Sequence, residues 1–206
     1  MSFEAIKNKV GQYYSGKLKE FGATPKGVDW NNQESQVLRF EQLVRVMDGA
    51  RAPASVLDYG CGYGSLYEFM QERFPGFTYT GFDISADMIG MAEKKYPAGA
   101  TWTSSLASGH VFDYVLASGI FNVRLNTKNE DWLGYILDTL QTMHTLSAKG
   151  FSFNVLTKYS DAEYMRGDLY YADPALLFDH CKKKFSKYVA LLHDYPLYEF
   201  TILVKK

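Results

Sequence analysis

An aspartate at the end of an apolar run, followed by three glycines at alternate positions, already suggests a ligand. In Val56-Leu-Asp-Tyr-Gly-Cys-Gly-Tyr-Gly64 the carboxylate is Asp58 and the glycines are Gly60, Gly62 and Gly64. Glycines let the chain turn sharply and let a ligand lie against bare backbone. Dinucleotide-binding turns space their glycines G-x-G-x-x-G, and here Ser65 stands where the third would fall. Asp58 would repel a pyrophosphate and attract an ammonium group. No Lys-Ser/Thr pair follows, which excludes the phosphate loop of nucleotide hydrolases. The turn therefore calls for a ligand that is cationic near the glycines and carries no phosphates. Cys61, flanked by glycines and lacking a histidine partner, is read as a small residue that offers its backbone to this ligand.

A second carboxylate ends the next apolar run, Tyr79-Thr-Gly-Phe-Asp83. At about twenty residues past such a turn, an acidic residue accepts hydrogen bonds from the hydroxyls of a ribose. Ile84, which follows, suits one face of an adenine. Ammonium, ribose and adenine in that order describe S-adenosyl-L-methionine.

These residues need elements to position them. Apolar spacing predicts helices over Phe3–Phe21 and Gln33–Asp48, separated by the Gly/Pro-punctuated stretch Gly22–Trp30. From Ser55 on, short apolar runs alternate with helical patterns. Strands are expected at Ser55–Tyr59, Thr78–Phe82, Ala100–Thr103, Val111–Ala117 and Gly150–Leu156, with helices at Gly64–Phe74, Ala86–Tyr96 and Asp131–Leu146. Such alternation gives right-handed crossovers and a parallel sheet covered on both faces. Asp173-Pro174 opens another helix, to Lys184. Lys187–His193 and Leu197–Val204, joined by Asp194-Tyr195-Pro196, read as a final hairpin and so as an antiparallel last strand. The expected fold is a Rossmann-like, seven-stranded, mostly parallel α/β sheet. Residues 1–50 form an N-terminal helical cap and 51–206 the ligand-binding domain, in one compact whole.

With those motifs in hand, the chain resembles the class I S-adenosylmethionine-dependent methyltransferases. The resemblance rests on Val56–Gly64, Tyr79–Asp83, Phe112-Asp-Tyr-Val-Leu-Ala-Ser-Gly119 and the closing hairpin, and it covers roughly Ser55 to Lys206. It implies that Gly60–Gly64 holds the methionine and ribose part and Asp83 the ribose. It also implies that Ser104, Ser105 and Leu106 meet the adenine edge, and that Ala117 and Ser118 to Gly119 meet the methionine end. An acidic residue is common in the family's adenine loop, and this chain has serines there. Arg39, on the second helix, is a further candidate for the cofactor carboxylate.

The acceptor is read by exclusion and by loop chemistry. Ser118-Gly-Ile-Phe-Asn122 lacks the Pro-Pro-aromatic motif that family members use on base amines or amides, and it lacks the aspartates that hold magnesium in catechol enzymes. No metal set is expected. A net charge of −1, with no basic-aromatic stripe, gives no footprint for nucleic acid. No apolar run has transmembrane length, the N-terminus does not read as a signal peptide, and two distant cysteines suggest no disulfide framework. A cytoplasmic, soluble enzyme with a small-molecule methyl acceptor is the expectation. Tyr13, Tyr14 and Trp30 from the cap, Asn122 and Arg124 after the fourth strand, and Tyr159, Arg166 and Tyr170 after the fifth should line its site. Tyrosines with a few cations suit a polar or anionic molecule methylated at oxygen. Alternatives are a small-molecule nitrogen, a peptide or protein side chain, or a non-catalytic cofactor-binding module whose acceptor chamber is filled by its own side chains. His193, expected at the sheet edge that carries the cofactor, is the candidate general base, and Arg124 a second catalytic candidate.

Replacing Asp83 with Ala should weaken S-adenosylmethionine binding by on the order of 1–3 kcal/mol. Calorimetric titration reads this directly, and unchanged affinity removes the ribose assignment.

Overall fold

The computed structural model describes residues 2–30 and 32–206. In chain order its elements are α1 (Phe3–Phe21), α2 (Gln33–Val44), β1 (Ala54–Tyr59), α3 (Ser65–Arg73), β2 (Phe77–Phe82), α4 (Ala86–Lys95), β3 (Ala100–Thr103), β4 (Phe112–Ala117), α5 (Asn129–Leu146), β5 (Ser147–Leu156), α6 (Pro174–Lys184), β6 (Tyr188–Leu192) and β7 (Glu199–Lys205). Single 3-10 turns lie at Pro25–Val28, Arg45–Met47 and Ala162–Tyr164.

Helix starts are set by side chains that satisfy otherwise orphaned N–H groups. Ser2 caps α1, Asn32 caps α2, Ser85 caps α4 and Asp173 caps α6 ahead of Pro174. The second helix ends at Val44, short of the expected Asp48, because its last turn tightens into the 3-10 geometry of Arg45–Met47. β5 begins at Ser147, three positions before the expected Gly150, because α5 passes into it without a loop and Ser147 already pairs with Phe112 of β4.

The sheet order is β3-β2-β1-β4-β5-β7-β6. Every neighbouring pair is parallel except those of β7, which runs antiparallel to both β5 and β6. Side chains alternate between faces with period two. Leu57, Val115 and Ala117 enter one core with Ile6 and Val10 of α1, Trp132 and Ile136 of α5, and Leu177 of α6. Val56, Tyr114 and Leu116 enter the other, with Phe40 and Leu43 of α2 and Leu66 and Met70 of α3. The two helices of the expected cap thus pack one on each face. β1 has β2 on one side and β4 on the other, so the chain reverses direction of winding at the carboxyl end of β1. That crevice is where open α/β sheets bind ligands. Among the described residues no helix is long and apolar enough to cross a membrane.

The segment after β4 is fixed from below by Trp132, which is fully buried and donates its indole N–H to the Phe121 carbonyl at 2.9 Å. Trp132→Phe leaves that buried carbonyl without its donor and should cost about 1–3 kcal/mol. A lowered denaturant midpoint with an unchanged slope is the expected reading.

Candidate functional site

β1 ends at Tyr59, and the N–H groups of Gly60 and Cys61 both donate to the Phe82 carbonyl at the end of β2, at 2.7 and 2.9 Å. Gly60 has φ +87°, and a Cβ there would lie 2.3 Å from Ile120, so only glycine fits. Asp83 completes the clamp. One of its carboxylate oxygens accepts from the Gly62 N–H at 2.9 Å and the other from the Ser85 N–H at 2.8 Å. Burial raises the Asp83 pKa, and those two N–H groups oppose the shift.

Above this turn lies a cleft of about 640 Å³ whose lining includes Gly60, Gly62, Asp83, Ile84, Ser118 and Gly119, with Tyr14 and Trp30 of the N-terminal segment across from them. A smaller recess of about 300 Å³ continues between Asp58, Ser118, Gln36 and Ser65. Two buried oxygens at this recess have no hydrogen-bond partner among the described residues, Asp58 Oδ1 and Ser118 Oγ. Two orphaned oxygens lining one recess fit a ligand that brings its own donors, as an ammonium group does. Asp58 is pushed up to about 7, chiefly by burial; the Tyr79 hydroxyl, which donates to it, opposes the rise and the nearby Asp83 adds to it. The Cys61 thiol is buried and raised well above its ordinary value, chiefly by burial, so it stays protonated.

Through Tyr14, Val28, Trp30 and Gly119 the cleft adjoins a second chamber of about 1140 Å³. Its lining includes Asp29, Arg39, Asn122, Ser160, Arg166 and Glu199, and four tyrosines, Tyr14, Tyr164, Tyr171 and Tyr198. Tyr13 does not line it but donates its hydroxyl to Asp29, which also pairs with Lys17 at 3.0 Å. Arg166 faces that group and binds Asp168 through Nε and Nη2 at 3.1 and 2.5 Å. Burial raises the Tyr14 phenol, and the hydrogen bond to Asp161 pushes Tyr198 up to about 12. Both phenols are therefore hydrogen-bond donors at neutral pH.

Several expected site residues are placed elsewhere. His193 follows β6, the outermost strand; it is exposed, its ring lies 6.1 Å from that of Tyr159, and it lines none of these cavities. Tyr159 is 65% exposed, and Tyr170 packs against the core. Arg124 gives its guanidinium to the carbonyls of Leu169, Gly167, Leu125 and Thr127, so it fastens the loop after β5 instead of facing a chamber. Ser104 and Ser105 are exposed and Leu106 leans on the core; none lines the cleft. Ala117 is wholly buried beneath it. Arg39 does line the chamber, with Nε and Nη2 on Glu199 at 2.8 and 2.6 Å and its guanidinium 4.0 Å from the Trp30 ring centre. The sequence reading passed over Val28, Asp29, Ser160 and Glu199. Glu199 did carry a signal, since it opens the apolar run Phe200-Thr-Ile-Leu-Val204.

Residues 33–188 match the family model described as methyltransferase domain. The candidate methyltransferase Rv1506c of Mycobacterium tuberculosis is 48% identical over 165 residues, which is 79% of this chain and 99% of that protein. A trans-aconitate 2-methyltransferase of Paracidovorax citrulli is 45% identical over 53 residues, 24% of this chain and 20% of that protein. Among solved structures, the complex of DhpI with SAH, the demethylated cofactor S-adenosylhomocysteine, has a TM-score of 0.70 at 14% identity, covering 100% of this chain and 98% of that one.

The native pKa of Asp58, about 7, lies above the value near 4 of an unfolded aspartate. The folded protein therefore holds the extra proton between those values, and the contribution of this group to stability falls as pH rises through them. The Asp58→Asn protein, without cofactor, should gain stability relative to the parent as pH rises from about 5 to about 8. Wild-type affinity for S-adenosylmethionine should rise from about pH 5.5 to about pH 7.5 as the carboxylate forms opposite the ligand's ammonium, and Asp58→Asn should lose that slope. Thermal melts and calorimetric titrations across the range check both.

Proposed function

The chain belongs to the methyltransferase-domain family, the class I enzymes that use S-adenosylmethionine, and from that premise we propose that it methylates an oxygen of a small polar or anionic acceptor, a carboxylate above all. The observation that carries this reading is the second chamber, which adjoins the cofactor cleft at Tyr14, Trp30 and Gly119 and is lined by Arg166 and neutral phenols. Open volume beside the cleft supports a catalytic chamber over one filled by its own side chains. No imidazole lies among its described lining residues. A carboxylate needs none, because it arrives without a proton to lose.

The bound cofactor supplies an electrophilic methyl group on a sulfonium. The chain's own residues hold and orient. Asp83 takes the ribose hydroxyls, Ile84 lies against the adenine, and Asp58 and Ser118 accept from the ammonium. Trp30 and Tyr14 stand between cleft and chamber and keep water from the reacting pair. Arg166 and the Tyr14 hydroxyl donate to the acceptor carboxylate, fixing one oxygen toward the cleft. Positioning of this kind supplies most of what an in-line displacement requires. The name of the Paracidovorax relative, which gives a tricarboxylate as its acceptor, agrees with this class over the short segment it shares. Asp29, also at the chamber, favours a second reading in which an ammonium held there first gives a proton to that carboxylate and the resulting amine is methylated at nitrogen.

Incubation with methyl-labelled S-adenosylmethionine and panels of carboxylic acids, phenols and amines separates the readings. Label that enters carboxylic acids and is released by mild base supports ester formation; base-stable label in amines selects nitrogen. Arg166→Ala should raise the acceptor KM by at least about tenfold while leaving cofactor affinity unchanged.

A further inference from the structure

Asn154, near the carboxyl end of the buried strand β5, and Glu199, the first residue of β7, are polar residues that the cofactor and acceptor assignments leave unused. Both are essentially inaccessible to solvent. The Gly119 N–H donates to Asn154 Oδ1 at 2.7 Å. Asn154 Nδ2 donates to Glu199 Oε2 at 2.8 Å, and Glu199 Oε1 accepts from Arg39 Nε and Nη2. The Arg39 guanidinium lies on the Trp30 indole, and the other contact closes the ring: a Cβ on Gly119 would fall 2.3 Å from that indole.

Donor direction along this chain is forced. A backbone N–H at one end and a guanidinium at the other can only donate. Asn154 must then turn its oxygen to Gly119 and its NH2 to residue 199, and residue 199 must accept from both sides. A carboxylate does this and a carboxamide does not. A buried ion pair is a poor source of net stability compared with apolar packing, yet this one sits at the wall shared by the cofactor cleft and the acceptor chamber. Gly119 and Trp30 line both.

We infer that Asn154, Glu199 and Arg39 are positioning residues for methyl transfer: they fix the Ser118–Gly119 peptide and the Trp30 indole as the two sides of the passage between cofactor and acceptor. This rests on the reading that the cofactor's methionine end meets Ser118 and Gly119. Glu199→Gln turns an NH2 toward Asn154. Asn154 then flips and presents its own NH2 to the Gly119 N–H, so the peptide loses its anchor. Asn154→Asp added to Glu199→Gln restores every donor–acceptor match, with the charge moved one residue along.

The test measures S-adenosylhomocysteine affinity by calorimetry and the Gly119 amide proton shift by NMR in the full chain, with melting temperature as a control. Glu199→Gln should weaken binding about tenfold and move the Gly119 amide upfield. The double variant should bring both back, affinity to within about threefold. A single variant with wild-type affinity and amide shift overturns the inference, as does a folded double variant no better than the single. If the single variant does not fold, the double decides: affinity within about threefold of wild type supports the relay, and binding more than about tenfold weaker overturns it. Asp83→Ala, run alongside, keeps the two levels apart. If it leaves S-adenosylhomocysteine binding intact, the cofactor placement itself has failed, whatever the relay variants do.

Discussion

The site depends on one constraint, the fastening of the turn after β1 to the end of β2. The Phe82 carbonyl takes two N–H groups from the turn, and the Asp83 carboxylate takes a third from Gly62. Short strands leave little slack, so these bonds fix where β1 stops relative to β2 and hence the floor of the cleft. The price is a carboxylate whose pKa burial raises and a glycine that cannot carry a Cβ. Everything above the floor, including the orphaned oxygens of Asp58 and Ser118, is placed relative to that clamp.

A second constraint is topological. The final hairpin inserts β7 between β5 and β6, so the first residue of β7 reaches the ligand edge from the direction opposite to its neighbours. Glu199 therefore arrives beside Asn154 and the segment after β4, and three adjacent strands end in one polar chain. Arg39 joins it from a helix that otherwise packs on the α2–α3 face of the core. A long-range connection of this kind ties the N-terminal helices to the last strand.

Much of this was legible in the sequence. Strands and helices followed from apolar periodicity, and the tight turn after β1 from glycine spacing, with Asp83 standing beside it. Loop side chains were less legible, because periodicity specifies a face within an element and says nothing about a neighbour from elsewhere. Arg124 was read as a site cation, yet five N–H donors among nearby carbonyls settle on the backbone instead. His193 was expected at the cofactor edge, and β6, parallel to β5, does end there, but at the far side of the sheet from the cleft. The spacing of a hairpin does not reveal which of its strands lies inside, and here the strand leading to His193 is the outer one. Asn154 and Glu199 were missed for the opposite reason: each is buried within or at the start of a largely apolar run, where a polar residue needs a partner that only the tertiary structure supplies.

The loop between β5 and α6 is sewn down at both ends. Asn122 accepts from the Tyr170 N–H, the Lys158 N–H reaches Ala172, and the Arg124 guanidinium binds carbonyls at Gly167 and Leu169. On that side the chamber presents a wall that is ordered in advance, so little conformational entropy would be lost when a molecule docks there. The segment around Asp29 and Trp30 is held by backbone bonds of its own 3-10 turn and by side-chain contacts to Tyr13, Lys17 and Arg39. Trp30 lines both the cleft and the chamber, so the same few contacts shape the two cavities. One partly buried ion pair, Lys17–Asp29, thereby helps to shape two cavities, and its burial shields it from much of the screening that salt exerts on surface pairs.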